Sequence, residues 1–144
     1  MKTVRLGKTE LMVTKPAMGC LPVQRCSVED GVKLLRAAYE GGIRYFDTAN
    51  FYTDSEYKMG LALADVRDDI VISTKSMERS RDGVLAHIEN SLRMLKTDHI
   101  DLYYLHRLDP NTPVEESAAA LGELVSEGKI GGIGFSEISA ATLD

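Results

Sequence analysis

Five apolar, strand-like runs recur along the chain, and their starts lie about 26 to 30 residues apart: Pro16 to Val23, Ile43 to Thr48, Ile70 to Thr74, Ile100 to Leu105 and Ile130 to Phe135. That is the spacing of βα units. The stretches between the runs carry helical signals. Ser27 can cap a first helix whose Val32, Leu35, Ala38 and Tyr39 form one apolar stripe, and Gly41-Gly42 ends it. Ser55 can cap a shorter second helix. A third begins at about Ser80, with Val84, Ile88, Leu92 and Leu95 at helical spacing. In the fourth, Thr112-Pro113-Val114-Glu115 combines a capping box with proline at the first helical position; this helix should run to about Glu127 and stop at Gly128. The opening VRLGKTELMV stands outside the repeat. Its short alternating runs flank Gly7-Lys8-Thr9 as in a β-hairpin over residues 3–14.

Strands alternating with amphipathic helices imply right-handed βαβ units and a parallel sheet with helices outside it. Two architectures satisfy this: an open doubly wound sheet, or the first five strands of an eight-stranded βα barrel, which typically needs about 250 residues. Neither G-x-G-x-x-G nor G-x-x-x-x-G-K-S/T occurs. Gly131-Gly132-Ile133-Gly134 falls inside the fifth run, where close packing accounts for it.

Charge narrows the partners. With 17 Lys+Arg against 22 Asp+Glu, a net charge of -5, the chain has no overall attraction for nucleic acid or an anionic membrane. No apolar stretch approaches the roughly 20 residues that cross a bilayer, and the first residues lack the apolar block of a signal peptide, so the expected location is cytoplasmic. Cys20 and Cys26 form no metal-type cluster and read as small packing residues.

Three runs end in an ionisable group: YFD in Asp47, IVISTK in Lys75 and YYLH in His106. In a parallel sheet all three stand at one edge, the C-terminal edge where βα enzymes place their sites. Tyr52 follows on the loop after Asp47. A phenol with an ordinary pKa near 10 exchanges protons poorly at neutral pH unless a cation stabilises its phenolate, a role open to Lys75. A partly buried lysine needs a facing carboxylate to stay charged and oriented, and Asp47 is placed to be it. His106 can then orient a substrate oxygen beside Tyr52. Such a set protonates an oxygen as negative charge develops on it. It offers no covalent nucleophile, so hydride from a nicotinamide cofactor fits.

At these residues the chain closely resembles the aldo-keto reductase family. The resemblance rests on LGKTELMVTKPAMG, FDTANFY followed by Ser55-Glu56, ISTK, DLYYLH and GKIGGIGFSEIS, in that order, and covers essentially the whole chain, residues 1–144. It implies a (β/α)8 TIM-type barrel and NADPH-dependent reduction of a small-molecule aldehyde or ketone to the alcohol. Asp47, Tyr52, Lys75 and His106 would be the catalytic tetrad, with Tyr52 the proton donor. Gly19, Cys20, Ser136 and Glu137 would lie on the cofactor side, Glu137 standing where asparagine is common. The N-terminal hairpin would close the barrel bottom. Since the match ends at the start of the fifth helix, the expectation is an incomplete barrel with strands one to five, whose exposed sheet edges invite self-association. The second reading is a non-catalytic barrel fragment or hybrid that keeps the tetrad and lacks most of the cofactor site.

Overall fold

A computed structural model describes residues 1–78, 80–106, 113–139 and 141. Strands β1 (Lys2–Arg5) and β2 (Met12–Lys15) form the expected antiparallel hairpin, with Val4 opposite Val13. Gly7 at φ +57° turns the chain between them, a conformation that glycine adopts without a Cβ penalty.

The repeat folds into one parallel sheet of five strands: β3 (Met18–Gly19), β4 (Tyr45–Asp47), β5 (Val71–Ser76), β6 (Leu102–Leu105) and β7 (Ile133–Phe135). Their spatial order is their sequence order, β3-β4-β5-β6-β7. A doubly wound sheet reverses direction at a switch point, whereas here every new strand adds on the same side. The sheet is therefore the wall of a βα barrel. Four helices accompany it: α1 (Val28–Glu40), α2 (Ser55–Leu63), α3 (Arg81–Leu95) and α4 (Val114–Ser126).

Strand alternation divides the sheet into two faces. Phe46, Ile72, Tyr103 and Leu105 point towards the helices and join Leu35, Met59, Leu63, Ile88, Leu92, Leu121 and Leu124 in the core. The alternate positions, Tyr45, Asp47, Ser73, Lys75 and Tyr104, belong to the opposite, barrel-interior face. That face is polar where the helix-side core is apolar. Close packing of β6 against β7 explains the glycines of the fifth run. A Cβ on Gly131 would stand 2.8 Å from the Asp101 carbonyl oxygen, and one on Gly134 would meet the Tyr104 ring.

Several boundaries differ from the sequence expectation. Only Met18 and Gly19 of the first run are strand; Leu21–Arg25 forms a 3-10 turn that opens with Pro22 and buries Val23. Proline cannot donate to a ladder, so the strand stops before it. Ser27 and Ser80 cap α1 and α3 as expected, through Asp30 N at 3.0 Å and Gly83 N at 3.2 Å. Ser55 does not cap α2. It is the first helical residue, and its buried hydroxyl accepts from Thr48 Oγ1 at 2.9 Å and donates to the Cys20 carbonyl at 3.1 Å. Pro113 sits at the N-cap of α4 rather than in its first turn, Gly128 at φ +73° follows its end, and Thr112 of the expected capping box lies outside the described residues. So does most of the expected fifth helix. No described helix is long and apolar enough to cross a membrane.

Candidate active site

Register brings the strand ends together. Asp47 pairs with Gly19 on one side and Ser73 on the other, while Lys75 pairs with Tyr104. Lys75 Nζ donates to Asp47 Oδ2 at 2.6 Å and to the Thr48 carbonyl at 2.8 Å. The second oxygen of Asp47 accepts from Ser73 Oγ at 2.6 Å. Each oxygen of the carboxylate thus has its own donor, which fixes the direction from which it meets the ammonium. Ser73 was not among the residues singled out from the sequence, although it lies two positions before Lys75 on the same strand face.

Tyr52 returns over this pair on a loop tied to β5. Thr48 N donates to the Ser73 carbonyl at 2.9 Å and Asn50 N to the Lys75 carbonyl at 2.9 Å. Within the loop, Tyr52 N bonds to the Ala49 carbonyl at 3.0 Å and Ser55 N to the Tyr52 carbonyl at 2.8 Å. Lys75 Nζ stands 5.9 Å from the centre of the Tyr52 ring and 5.8 Å from that of Tyr104. Phe51 links the remaining group. Its ring meets Tyr52 edge-on at 4.9 Å and His106 at 5.1 Å, tilted by 49°. His106 is placed by its amide, which donates to the Ser76 carbonyl at 2.9 Å. Its Nδ1 is buried and has no hydrogen-bond partner among the described residues. Buried polar atoms are rarely left unpaired, and those that are tend to mark sites of function.

The electrostatics depart from the sequence expectation in one respect. Partial burial, and then the negative charge of Asp47, push the Tyr52 phenol above its ordinary value; no lowering by Lys75 is found in this arrangement. The cause is geometric: the ammonium is engaged by Asp47 and Thr48, so the phenol faces an ion pair rather than a bare cation. Tyr52 accordingly keeps its proton at neutral pH. The Lys75-Asp47 pair can respond to charge only once it forms on the phenol oxygen.

On the expected cofactor side, Gly19 is exposed, with nothing within 4 Å of the place a Cβ would take. Ser136 is half-buried just after β7, and its amide donates to the Leu105 carbonyl at 2.9 Å. Glu137 is exposed and left-handed at φ +54°. Cys20 is fully buried; its amide holds the Asp47 carbonyl at 2.7 Å, and burial pushes its thiol up to about 12, so it presents backbone rather than side chain. Open room at Gly19 and the half-buried Ser136 are compatible with a nicotinamide ring on this side of the mouth, where the fully buried Cys20 thiol is not presented. Among the described residues no cluster of three His, Cys, Asp or Glu is placed to hold a metal ion.

Behind Asp47 and Lys75, on the helix side of β5, lies a polar cluster the sequence did not reveal. Buried Glu56 accepts from Thr74 Oγ1 at 2.6 Å, and Asn50 Nδ2 donates to Ser91 Oγ at 3.3 Å. Burial raises the Glu56 carboxyl above its ordinary value of 4.5, while hydrogen bonds with Thr74, Ser91 and Asn50 and the nearby His87 oppose the rise. An acid whose folded pKa is raised binds its proton more tightly when folded. Its contribution to stability is therefore complete below the unfolded value and is lost as pH rises through the folded one. We expect Glu56→Gln to flatten the decline in thermal midpoint above pH 4.5, read by circular dichroism melts across the acid-to-neutral range. Parallel pH curves for the two proteins would show that Glu56 titrates in the fold as it does in the unfolded chain.

With the geometry in place, the relatives decide the lineage. A family model described as the Aldo/keto reductase family matches residues 18–144. This chain belongs to the aldo-keto reductase family. Aldo-keto reductase str7 of Strobilurus tenacellus is 39% identical over 81% of the chain, which covers 37% of that protein. A thermostable aldo-keto reductase, Tm1743, solved with the inhibitor epalrestat, superposes with a TM-score of 0.93 at 32% identity, over 99% of this chain and 56% of that one. An aldo-keto reductase from Klebsiella pneumoniae, solved with NADPH, superposes with a TM-score of 0.89 at 32% identity, over 99% of this chain and 51% of that one. The chain thus spans about half the length of these aldo-keto reductase structures.

Proposed function

We propose that residues 1–144 belong to one aldo-keto reductase domain and carry its carbonyl-reducing centre, with NADPH as cofactor and a small aldehyde or ketone as substrate. The observation that carries this reading is the Lys75-Asp47 ion pair at 2.6 Å beneath the Tyr52 ring, with Phe51 joining Tyr52 to His106. A bound nicotinamide supplies the hydride that forms the new C–H bond at the carbonyl carbon. Gly19 and Ser136 would line its side of the mouth, with the Cys20 backbone beneath and Glu137 at the rim.

His106 orients the carbonyl oxygen towards Tyr52, and the phenol gives that oxygen its proton as the C=O bond becomes C–O. The proton leaves negative charge on the phenol oxygen. Lys75 then shifts part of its hydrogen bonding from Asp47 to the phenolate, while Ser73 keeps Asp47 from following. Phe51, 44% exposed at the mouth, offers the substrate an apolar wall.

The test is NADPH-dependent loss of phenylglyoxal by the purified chain, with the alcohol product identified by chromatography. Saturable NADPH oxidation matched by alcohol is expected. Absence of turnover at every NADPH concentration, in a chain that circular dichroism shows to be folded, would overturn the reading and favour a non-catalytic barrel fragment.

A further inference from the structure

The layer between the sheet and helices α2 and α3 is built mainly from Ile72, Ile88, Leu92, Met59 and Leu63, and polar contacts cross it: Thr48 with Ser55, Ser76 with His87, and the group in which Glu56, Thr74, Ser91 and Asn50 meet. Glu56 is 4% exposed, and Thr74 and Ser91 are wholly buried. A buried polar group of this kind gives little net stability, since an apolar replacement of similar volume is often neutral or better. What it gives is a single arrangement, because each member must find its own partners.

The four residues belong to segments that matter to the site. Asn50 lies two residues before Tyr52, and Glu56 lies four after it. Thr74 immediately precedes Lys75 on β5, and Ser91 is on the adjoining helix α3. The loop that carries Tyr52 is thus held at its Glu56 end to the strand that carries Lys75 and at its Asn50 end to α3. Its backbone repeats the tie, through the bond from Asn50 N to the Lys75 carbonyl at 2.9 Å. Among the described residues, Tyr52 has ring contacts with Phe51 and Lys75 and bonds through its backbone, so its height over the ion pair depends on how the loop is held.

We propose that Glu56, through Thr74, Ser91 and Asn50, is a positioning residue that fixes the Tyr52 loop over the Lys75-Asp47 pair. It touches neither substrate nor cofactor. The proposal rests on the carbonyl-reducing reading for its consequence, and its test includes a readout that does not need turnover. 3-Fluorotyrosine placed at position 52 reports the environment and order of that ring by fluorine NMR in the folded chain.

One narrow resonance is expected in the parent protein and in Glu56→Gln, which keeps an oxygen acceptor for Thr74. Splitting or broadening is expected in Glu56→Leu and in Thr74→Val. The remote core variant Leu121→Ala, which destabilises without touching the cluster, should leave the resonance as it was. In parallel, kcat for phenylglyoxal should fall about tenfold to a hundredfold in Glu56→Leu, with the KM for NADPH unchanged and activity recovered in Glu56→Gln. Should Glu56→Leu fail to fold, Thr74→Val decides alone. An unchanged resonance in every folded disrupting variant, or an equal disturbance in Leu121→Ala, overturns the positioning role. A parent chain that shows the NMR pattern without turnover sinks the carbonyl-reducing reading and leaves the positioning intact.

Discussion

Tyr52→Phe is expected to reduce the kcat for carbonyl reduction by about 10²- to 10⁴-fold, the range that a positioned proton donor supplies. The substitution removes one oxygen and little else. The Tyr52 ring packs edge-on against Phe51 at 4.9 Å, and its amide and carbonyl hold the loop; phenylalanine keeps all of these. The Lys75-Asp47 pair keeps its bonds to Ser73 and Thr48 as well, so no buried charge loses a partner. NADPH binding, followed by quenching of protein fluorescence, should therefore stay as it was, and the loss should fall on kcat rather than on the KM for NADPH. Unchanged turnover in Tyr52→Phe would remove the phenol from its assigned role.

How much of this was legible in the sequence varies from residue to residue. The βα repeat was legible because each strand run is apolar and each helix carries a stripe, and both are local patterns. That Asp47, Lys75 and His106 stand at one edge followed from a parallel sheet alone, since each lies within one residue of the end of its run. Strand order was not legible. Periodicity shows that a strand exists but not which neighbour it pairs with, and only the observed β3-β4-β5-β6-β7 order separates a barrel wall from a doubly wound sheet.

The least legible element was α2. Lys58 is fully buried, with its ammonium held by the Val23 carbonyl at 3.0 Å, the Cys26 carbonyl at 2.8 Å and Asp54 at 2.8 Å. Its stem passes Gly31 of α1, where a Cβ would stand 2.8 Å from the lysine Cδ. Helix α2 is enclosed by α1, α3 and the 3-10 turn, so it shows no single apolar stripe. Apart from Asp54, four residues before Lys58, the partners that allow its charges inside lie 18 to 35 residues away, beyond any local pattern.

At the opposite edge of the sheet from the tetrad, Arg67→Met is expected to lower the free energy of unfolding by about 3 kcal/mol, near the low end for breaking a buried ion pair because Asp101 keeps some access to water. The guanidinium of Arg67, 8% exposed, donates to Asp101 Oδ2 at 2.6 Å, to the Ile70 carbonyl at 3.0 Å, to the His99 carbonyl at 3.0 Å and to Thr97 Oγ1 at 3.1 Å. The same Asp101 oxygen accepts from the Ile72 amide at 2.8 Å, at the start of β5. One cation thus ties the entries to β5, which carries Lys75 near its far end, and β6, which His106 follows. Methionine fills much of the same volume but leaves a carboxylate without its cation and takes one donor from each of the Ile70 and His99 carbonyls. Urea unfolding should show a lower midpoint with the same slope. Since the N-terminal edge of such a sheet serves stability and the C-terminal edge carries the site, the folded variant should keep the Tyr52 fluorine resonance of the parent. A loss below about 1 kcal/mol would mean that water takes over the guanidinium's bonds, and the cluster would then not be what sets the register of the two catalytic strands.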